Sequence, residues 1–154
     1  MKRIQKIISG GQTGTDRAAL DTAIDFGIPI GGWCPKGRTS EDGTIPDQYK
    51  LTETKSKNPT QRTKANVRDS DATLIIAQGP LTGGTALTQR LAKAKYKPCL
   101  VSDPNDCSAV DLANAWLEEN EVKVLNIAGP RASNDPQIYE LSCLFLRKLI
   151  RSHD

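Results

Sequence analysis

A glycine-rich turn, residues 9–14 (SGGQTG), is the first stretch of this sequence whose composition indicates chemistry. It follows the apolar run 4–8, and a helical pattern begins immediately after it, at Thr15 or Asp16. Glycines let a ligand approach the backbone closely, and the start of a helix presents free N–H groups to an anion. The spacing therefore predicts a phosphate-binding βα unit. Its candidate ligand contacts are Gly10, Gly11, Gln12, Thr13, Gly14 and Asp16.

The turn matches two known phosphate motifs only in part. It meets the dinucleotide pattern G-x-G-x-x-G with Ser9 in the first glycine position, and it lacks the Gly-Lys-Ser/Thr ending of a Walker loop. A tight βα turn without any ligand is the alternative that this stretch leaves open.

Two further loops carry similar turn chemistry. Residues 78–85 (QGPLTGGT) follow the apolar run 72–77, and residues 128–136 (AGPRASNDP) follow another apolar run. The second loop ends in Asp135 and Pro136, the pattern of a helix N-cap followed by proline at the first helical position. Candidate ligand contacts in the two loops are Gly79, Thr82, Gly83, Gly84, Thr85, Gly129, Arg131 and Ser133.

Two cations follow the predicted second strand, residues 28–33. In a dinucleotide fold the end of this strand often carries an acid that binds a ribose hydroxyl. Here Lys36 and Arg38 follow it instead, which indicates a phosphate or another anionic group. Ordinary solvated surface charge is the alternative, because Lys and Arg are mostly exposed.

The elements that position these residues alternate along the chain. Strands are predicted over residues 4–8, 28–33, 72–77, 98–101 and 122–127. Helices are predicted from residue 15 or 16, over 61–69 with Thr60 as N-cap, from residue 86, over 108–119 and over 137–150. This alternation predicts an α/β fold, a doubly wound Rossmann-like parallel sheet of about five strands with helices on both faces.

In such a sheet the ligand lies outside the carboxyl ends of the strands. All three glycine-bearing loops follow predicted strands, so they should meet at one edge. We favour the strand order 2-1-3-4-5, because it sets the loops 10–14 and 79–85 side by side. The polar segment 39–60 is long for a loop and is predicted to be a lid or a subunit contact, anchored by Ile45, Tyr49 and Leu51.

Composition limits the classes of function. The 154 residues form one predicted domain, 1–154, and the net charge of +3 is too small to indicate nucleic-acid binding. No apolar run approaches the roughly 18 residues of a membrane span, and no signal-peptide core is recognisable. We therefore expect a cytoplasmic protein that binds an anionic small molecule, not nucleic acid or a membrane.

The sequence gives little support to a protein-bound metal site or to catalysis by a nucleophilic side chain. The four cysteines form no C-x-x-C pair, and the single histidine is His153, near the end of the sequence. A Cys/His metal site is therefore not expected, and the cysteines are predicted to be buried, reduced thiols. No Ser–His or Cys–His catalytic arrangement is expected either, and no catalytic residue is assigned.

Several motifs carry a family resemblance that spans nearly the whole chain. Residues 9–20, 33–38, 62–73, 83–85 and 129–131 resemble the molybdenum cofactor carrier-like family, within a Rossmann-like superfamily of nucleotide-related ligand binders. The resemblance implies a homo-oligomer, a dimer or tetramer, that binds and protects the molybdenum cofactor (molybdopterin). That cofactor is an anionic pterin bearing a phosphate and a dithiolene-bound oxo-metal.

The same superfamily contains cytokinin-activating phosphoribohydrolases with a Pro-Gly-Gly-x-Gly-Thr-x-x-Glu motif. Residues 80–88 (PLTGGTALT) align with it without a gap, and Thr88 stands where the family has its glutamate. A neutral hydroxyl cannot stabilise an oxocarbenium-like centre as a carboxylate does. The departure favours binding over hydrolysis.

Three hypotheses follow. The leading one is a carrier for an anionic cofactor, with Lys36, Arg38 and Arg131 as counter-charges. The second is an enzyme acting on a nucleotide or nucleotide-sugar, with Asp16 as its acid/base candidate. The third is a nucleotide sensor or scaffold whose ligand controls assembly.

Overall fold

A computed structural model describes residues 4–153. The strands are β1 Lys6–Ile8, β2 Ile30–Gly31, β3 Trp33–Cys34, β4 Thr39–Ser40, β5 Gly43–Thr44, β6 Thr52–Glu53, β7 Ala72–Ile76, β8 Cys99–Ser102 and β9 Val124–Ala128. The helices are α1 Thr15–Asp25, α2 Pro59–Arg68, α3 Gly83–Ala94, α4 Ala109–Glu119 and α5 Ile138–His153.

Five of these strands form the central parallel sheet, in the order β2-β1-β9-β7-β8. The predicted α/β class and Rossmann-like architecture are confirmed. The favoured strand order was wrong, because the last strand, β9, lies between β1 and β7. Burial gives the reason: three of the five β9 residues are buried, whereas three of the four β8 residues keep some exposure. The more buried β9 suits the centre of the sheet, and β8 suits its edge.

The two faces of the sheet differ in polarity. Side chains alternate between faces along a strand, so Leu74 and Leu125 pack into the main core cluster with residues of α1, α4 and α5. Thr73 and Asn126 lie on the opposite face, where the Asn126 Nδ2 donates to Thr73 Oγ1 at 3.2 Å. Helices α2 and α3 pack against each other on that side. Polar side chains of the sheet therefore lie beneath α2 and α3, where apolar core side chains would otherwise be expected.

The predicted second strand is split at Gly32. This residue has φ +120, and a Cβ there would lie 2.3 Å from the Ser9 carbonyl oxygen. After this break the chain leaves the main sheet, and β3 pairs in parallel with β6 instead. The single strand predicted over 28–33 is therefore corrected to two short ones.

The segment 39–60 is more ordered than a loop. It contains the antiparallel hairpin β4–β5 and the strand β6. Ile45 and Tyr49 are buried in a second apolar cluster with Leu20 and Cys34, and Leu51 packs against it. The three predicted anchors are thus confirmed, since they fix the segment to α1.

Two local predictions need correction. Asn58, not Thr60, caps α2: its side chain accepts from the Thr60 N–H at 3.0 Å, with Pro59 at the first helical position. All four cysteines are free, and Cys34 and Cys143 are buried as predicted, but Cys99 is only partly buried and Cys107 is exposed, so the prediction of buried thiols fails at these two. Within residues 4–153 no cluster of three or more potential ligands could hold a metal, and no helix could span a membrane.

Candidate functional site

A cavity of about 410 Å³ lies at the carboxyl ends of β1, β9 and β7, bounded on its outer side by α2 and α3. The loops after all three strands contribute to its wall. Because β9 lies between the other two strands, its loop is the middle one. The predicted contacts that line this cavity are Gly10, Gln12, Asp16, Thr82, Gly83, Gly84, Thr85, Gly129 and Arg131.

The amino end of α3 presents bare backbone to the cavity. Thr82 is the N-cap and makes no side-chain capping bond. Neither Gly83 nor Gly84 has any heavy atom within 4 Å of a hypothetical Cβ. The first N–H groups of a helix have no acceptor within the helix, and here no side chain covers them. This end of α3 can therefore bind an anion through the backbone and the helix dipole.

Three arginines line the same cavity. The Arg62 Nη1 donates to the Gly10 carbonyl at 3.0 Å. The side chains of Arg90 and Arg131 make no hydrogen bond or ion pair with any residue from 4 to 153. Two guanidinium groups thus remain available to an anionic ligand.

Asp16 brings a carboxylate into this basic surrounding. It is only 7% exposed, and its Oδ2 accepts from the Gln12 N–H at 3.2 Å. Burial raises the pKa of Asp16 to about 6, although Arg62, the Gln12 N–H and Arg17 oppose the shift. The group thus titrates close to neutrality, as acids and bases at functional sites often do.

Polar side chains from α2, α3 and β9 complete the cavity wall. Asn66 is committed to the backbone of Trp33, accepting from its N–H at 2.7 Å and donating to its carbonyl at 3.0 Å. The Thr88 hydroxyl donates to the Gly84 carbonyl at 2.9 Å, within its own helix. Asn126 uses its Nδ2 on Thr73, and its Oδ1 accepts no hydrogen bond from the described part of the chain.

Seven predicted contacts are not among the lining residues. They are Gly11, Thr13, Gly14, Lys36, Arg38, Gly79 and Ser133. Gly11 has φ +79, and a Cβ there would lie 2.7 Å from Leu51 Cδ1 and 2.9 Å from Ile45 Cδ1. Its missing side chain therefore makes room for the second apolar cluster. Gly14 is the N-cap of α1.

The Arg38 guanidinium is used within the protein. It donates to the carbonyls of Ile45, Pro46, Tyr49 and Leu51 at 2.8–3.3 Å. Arg38 thus fastens the segment that follows it. Lys36 is exposed outside the cavity.

Thr13 and Ser133 are joined by the carboxylate of Glu41, at the tip of the β4–β5 hairpin. The Thr13 hydroxyl donates to Glu41, and the Ser133 N–H and hydroxyl donate to it at 3.1 and 2.5 Å. The Glu41 N–H donates in turn to Gln12 Oε1 at 3.0 Å. The bonds that the carboxylate accepts from Ser133 and Thr13 lower the pKa of Glu41, the Ser133 hydroxyl most, and the charge of Arg131 adds to this effect. We call this set the Glu41 bridge; it connects the loop carrying Gln12 to the loop carrying Arg131.

The contribution of α2 and of the sheet face to the cavity was not predicted from the sequence. The lining residues not assigned as contacts are Pro59, Thr60, Arg62, Thr63, Asn66, Leu87, Thr88, Arg90, Asn126, Ile127, Ala128 and Asn134. Two signals were available. Arg62 and Asn66 are four residues apart and so share one face of a helix, and Asn126 interrupts an apolar strand.

Comparison with known proteins places this geometry in context. The family described as the circularly permutated YpsA SLOG family matches residues 7–150. A crystal structure named "Putative molybdenum carrier protein" from Syntrophus aciditrophicus SB is 51% identical to this chain in sequence. The match covers 96% of this chain and 95% of that protein's chain, and the two structures superpose with a TM-score of 0.93. No curated protein matches the chain significantly. The expected family resemblance is confirmed.

Proposed function

We propose, from the premise that the chain belongs to the circularly permutated YpsA SLOG family, that this protein binds and carries an anionic cofactor in the cavity. The molybdenum cofactor, a phosphorylated pterin, is the ligand we favour. One observation carries the proposal: the bare amino end of α3 lines one cavity together with Arg90 and Arg131, whose guanidinium groups make no hydrogen bond or ion pair with residues 4–153.

The size and the chemistry of the cavity suit such a ligand. Small-molecule sites usually enclose about 300–1,000 Å³, and this one encloses about 410 Å³. Backbone N–H groups at Gly83, Gly84 and Thr85 would bind phosphate oxygens, and Arg90 or Arg131 would neutralise their charge. Charge-assisted hydrogen bonds of this kind are about twice as strong as neutral ones.

The protein itself contributes no metal ligands to this site in our proposal. No cysteine is among the residues that line the cavity. The donors there are guanidinium groups, amides, hydroxyls and one carboxylate, which suit phosphate and a polar ring. Any molybdenum would be held by the sulfurs of the pterin, as cargo.

Binding without hydrolysis is the second part of the proposal. Thr88 lines the cavity at the position of the superfamily's catalytic glutamate, and its hydroxyl is bonded to the Gly84 carbonyl. The lining residues include no histidine to activate it. Two expectations remain part of the proposal: a homo-oligomer, which the resemblance implies, and a cytoplasmic location, which the sequence composition indicates. Light scattering of the purified protein would measure the assembly.

The test is the identity of the molecule that copurifies. Native mass spectrometry and fluorescence of the ligand released from purified protein should show a pterin bearing phosphate. An Arg90→Ala/Arg131→Ala double variant should copurify with much less of it, whereas Lys36→Ala, which removes a cation outside the cavity, should retain it. A nucleotide in place of the pterin would contradict the favoured ligand. An empty protein that also fails to bind added phosphorylated pterins or nucleotides would contradict the proposal as a whole.

A further inference from the structure

Among the described residues that line this basic cavity, Asp16 alone has an acidic side chain. A carboxylate repels phosphate, so anion binding alone does not account for it. Its Oδ2 accepts one hydrogen bond, from the Gln12 N–H, and its Oδ1 accepts none from residues 4–153. Asp16 lines the cavity, and its Oδ1 is not sealed from it, so a donor on a molecule bound there can reach this open acceptor.

The neighbouring cations do not supply that donor. Arg17 directs its guanidinium to the Gly11 carbonyl at 2.8 Å, to Ser40 and to Asp42. Arg62 bonds to the Gly10 carbonyl, and no ion pair joins it to Asp16. Both arginines stabilise the charged carboxylate from a distance, since both lower its pKa, while leaving Oδ1 open.

Within the cavity, the cationic and the acidic groups suit different parts of one ligand. The α3 end, Arg90 and Arg131 suit phosphate, as proposed above. A carboxylate suits adjacent ring N–H donors, because it has two acceptor oxygens side by side. A cyclic guanidine, in which a ring N–H neighbours an exocyclic amino group, presents such donors. Pterins and guanine share this 2-amino-4-oxo edge.

We propose that Asp16 is a specificity-determining residue that accepts hydrogen bonds from the cyclic guanidine edge of the ligand's ring. The inference rests on the proposed function, because it requires a ligand in this cavity. The inference extends the proposed function, because it states which ring systems the cavity accepts and which it rejects. A ring without the amino group keeps its ring N–H but offers the buried carboxylate one donor fewer, and a 2,4-dioxo ring also turns a carbonyl oxygen toward it. Such mismatches are strongly disfavoured.

The experiment compares matched ligands that differ at the amino group. Full-length protein is titrated with GMP and IMP, and with 6-carboxypterin and 6-carboxylumazine, by calorimetry or fluorescence. The wild type should bind at least one amino-bearing probe about 10- to 100-fold more tightly than its partner, as for a lost hydrogen bond to a charged group. Preference within the pterin pair alone, or within the nucleotide pair alone, identifies the ring system, and either supports the inference.

Two variants of α1 assign the preference to one residue. Asp16→Asn keeps an oxygen for the Gln12 N–H, so the turn should be retained, but it removes the charged acceptor and should reduce the preference to about threefold or less. Asp25→Asn makes the same change in an exposed part of the same helix and should retain the full preference. The wild-type preference should also weaken as the pH falls through about 6, the pKa of Asp16, and this dependence should be absent in Asp16→Asn.

The outcomes separate this inference from the proposed function. Equal binding within both pairs would overturn the inference while leaving an anion-binding cavity intact. A preference that survives in Asp16→Asn would overturn the assignment to Asp16. Failure of all four probes to bind would overturn both proposals together.

Discussion

The Arg62 Nη1 donates a 3.0 Å hydrogen bond to the Gly10 carbonyl and lies 2.5 Å from the point where a Cβ of residue 10 would stand. The glycine-rich turn and α2 are therefore fitted to each other. The absence of a side chain at residue 10 leaves room for a cavity-lining arginine to pass over it. The adjacent Gly11 faces the opposite way, into the apolar cluster around Ile45.

These two glycines should respond differently to substitution. Gly10→Ala should displace the end of the flexible Arg62 side chain, so the fold is retained and ligand affinity falls. Gly11→Ala should lower the free energy of unfolding by about 1–3 kcal/mol, because it combines a positive φ with crowding of the core. Urea unfolding and ligand titration of both variants would check this. Equal loss of stability in the two would contradict the distinct packing described for them.

Removal of Arg131 should weaken binding without affecting the fold. Its guanidinium makes no hydrogen bond or ion pair with residues 4–153, so Arg131→Ala removes only its longer-range attraction to Glu41. We expect a loss of about 1.5–3 kcal/mol in affinity for a phosphate-bearing pterin or nucleotide, and a shallower dependence on salt. Calorimetry at two ionic strengths measures both. Lys36→Ala is the matched control, and an equal effect there would indicate that only net charge matters.

Asp16→Asn should stabilise the protein at neutral pH. The pKa of Asp16 is raised by burial from 3.8 to about 6, so the folded state binds more protons than the unfolded state between these values. Stability attributable to this group is therefore greatest below pH 3.8 and falls as the pH rises to about 6. An Asn side chain is uncharged, so no charge has to be buried on folding. The free energy of unfolding of the variant should therefore exceed that of the wild type by about 1–3 kcal/mol at pH 7.5. Urea unfolding should show a smaller gain at pH 4.5, and no gain at pH 7.5 would contradict burial of the charged carboxylate.

Purified protein should release little or no free base from nucleoside monophosphates. The alignment of residues 80–88 with the phosphoribohydrolase motif sets Thr88 against the motif's glutamate, and the Thr88 hydroxyl is bonded within α3. In Thr88→Glu a carboxylate would enter the cavity, and weak phosphoribohydrolase activity should appear. Thr88→Gln has similar size without the charge and should stay inactive. Robust activity in the unmutated protein, measured by chromatography of the released base, would overturn the carrier proposal.

Cutting the Glu41 bridge should reduce affinity although Glu41 is not a cavity-lining residue. Glu41→Ala removes the shared acceptor of Thr13 and Ser133, so the loops carrying Gln12 and Arg131 lose a common support. We expect about a 3- to 10-fold loss of affinity, as when ordering of side chains must occur on binding. Ligand titration tests this, and unchanged affinity would mean that the loops are held by other contacts.

The elements and the glycine-bearing loops could be predicted because their signals are local. An unbroken apolar run marked β7 and the spacing of apolar residues marked α3, and the apolar anchors Ile45 and Tyr49 were recognisable in a polar segment. The hydrogen-bonding partners of Arg38 could not be predicted. A cation after a strand end has the same sequence pattern whether it binds a ligand or donates to four backbone carbonyls. Arg62 and Asn126 reach the cavity through the packing of α2 on the polar face of the sheet, and that depends on contacts distant in the chain.

The central place of β9 has a consequence for biosynthesis. Strand β9 begins at Val124 and pairs with both β1 and β7, which end by Ile76. A nascent chain that has emerged from the ribosome only as far as residue 120 therefore holds two strands whose shared partner is still missing. Their open edges are templates for wrong pairing until β9 arrives. The loop after β9 completes the cavity, so a molecule can bind in the finished cavity only after residues 129–134 have emerged.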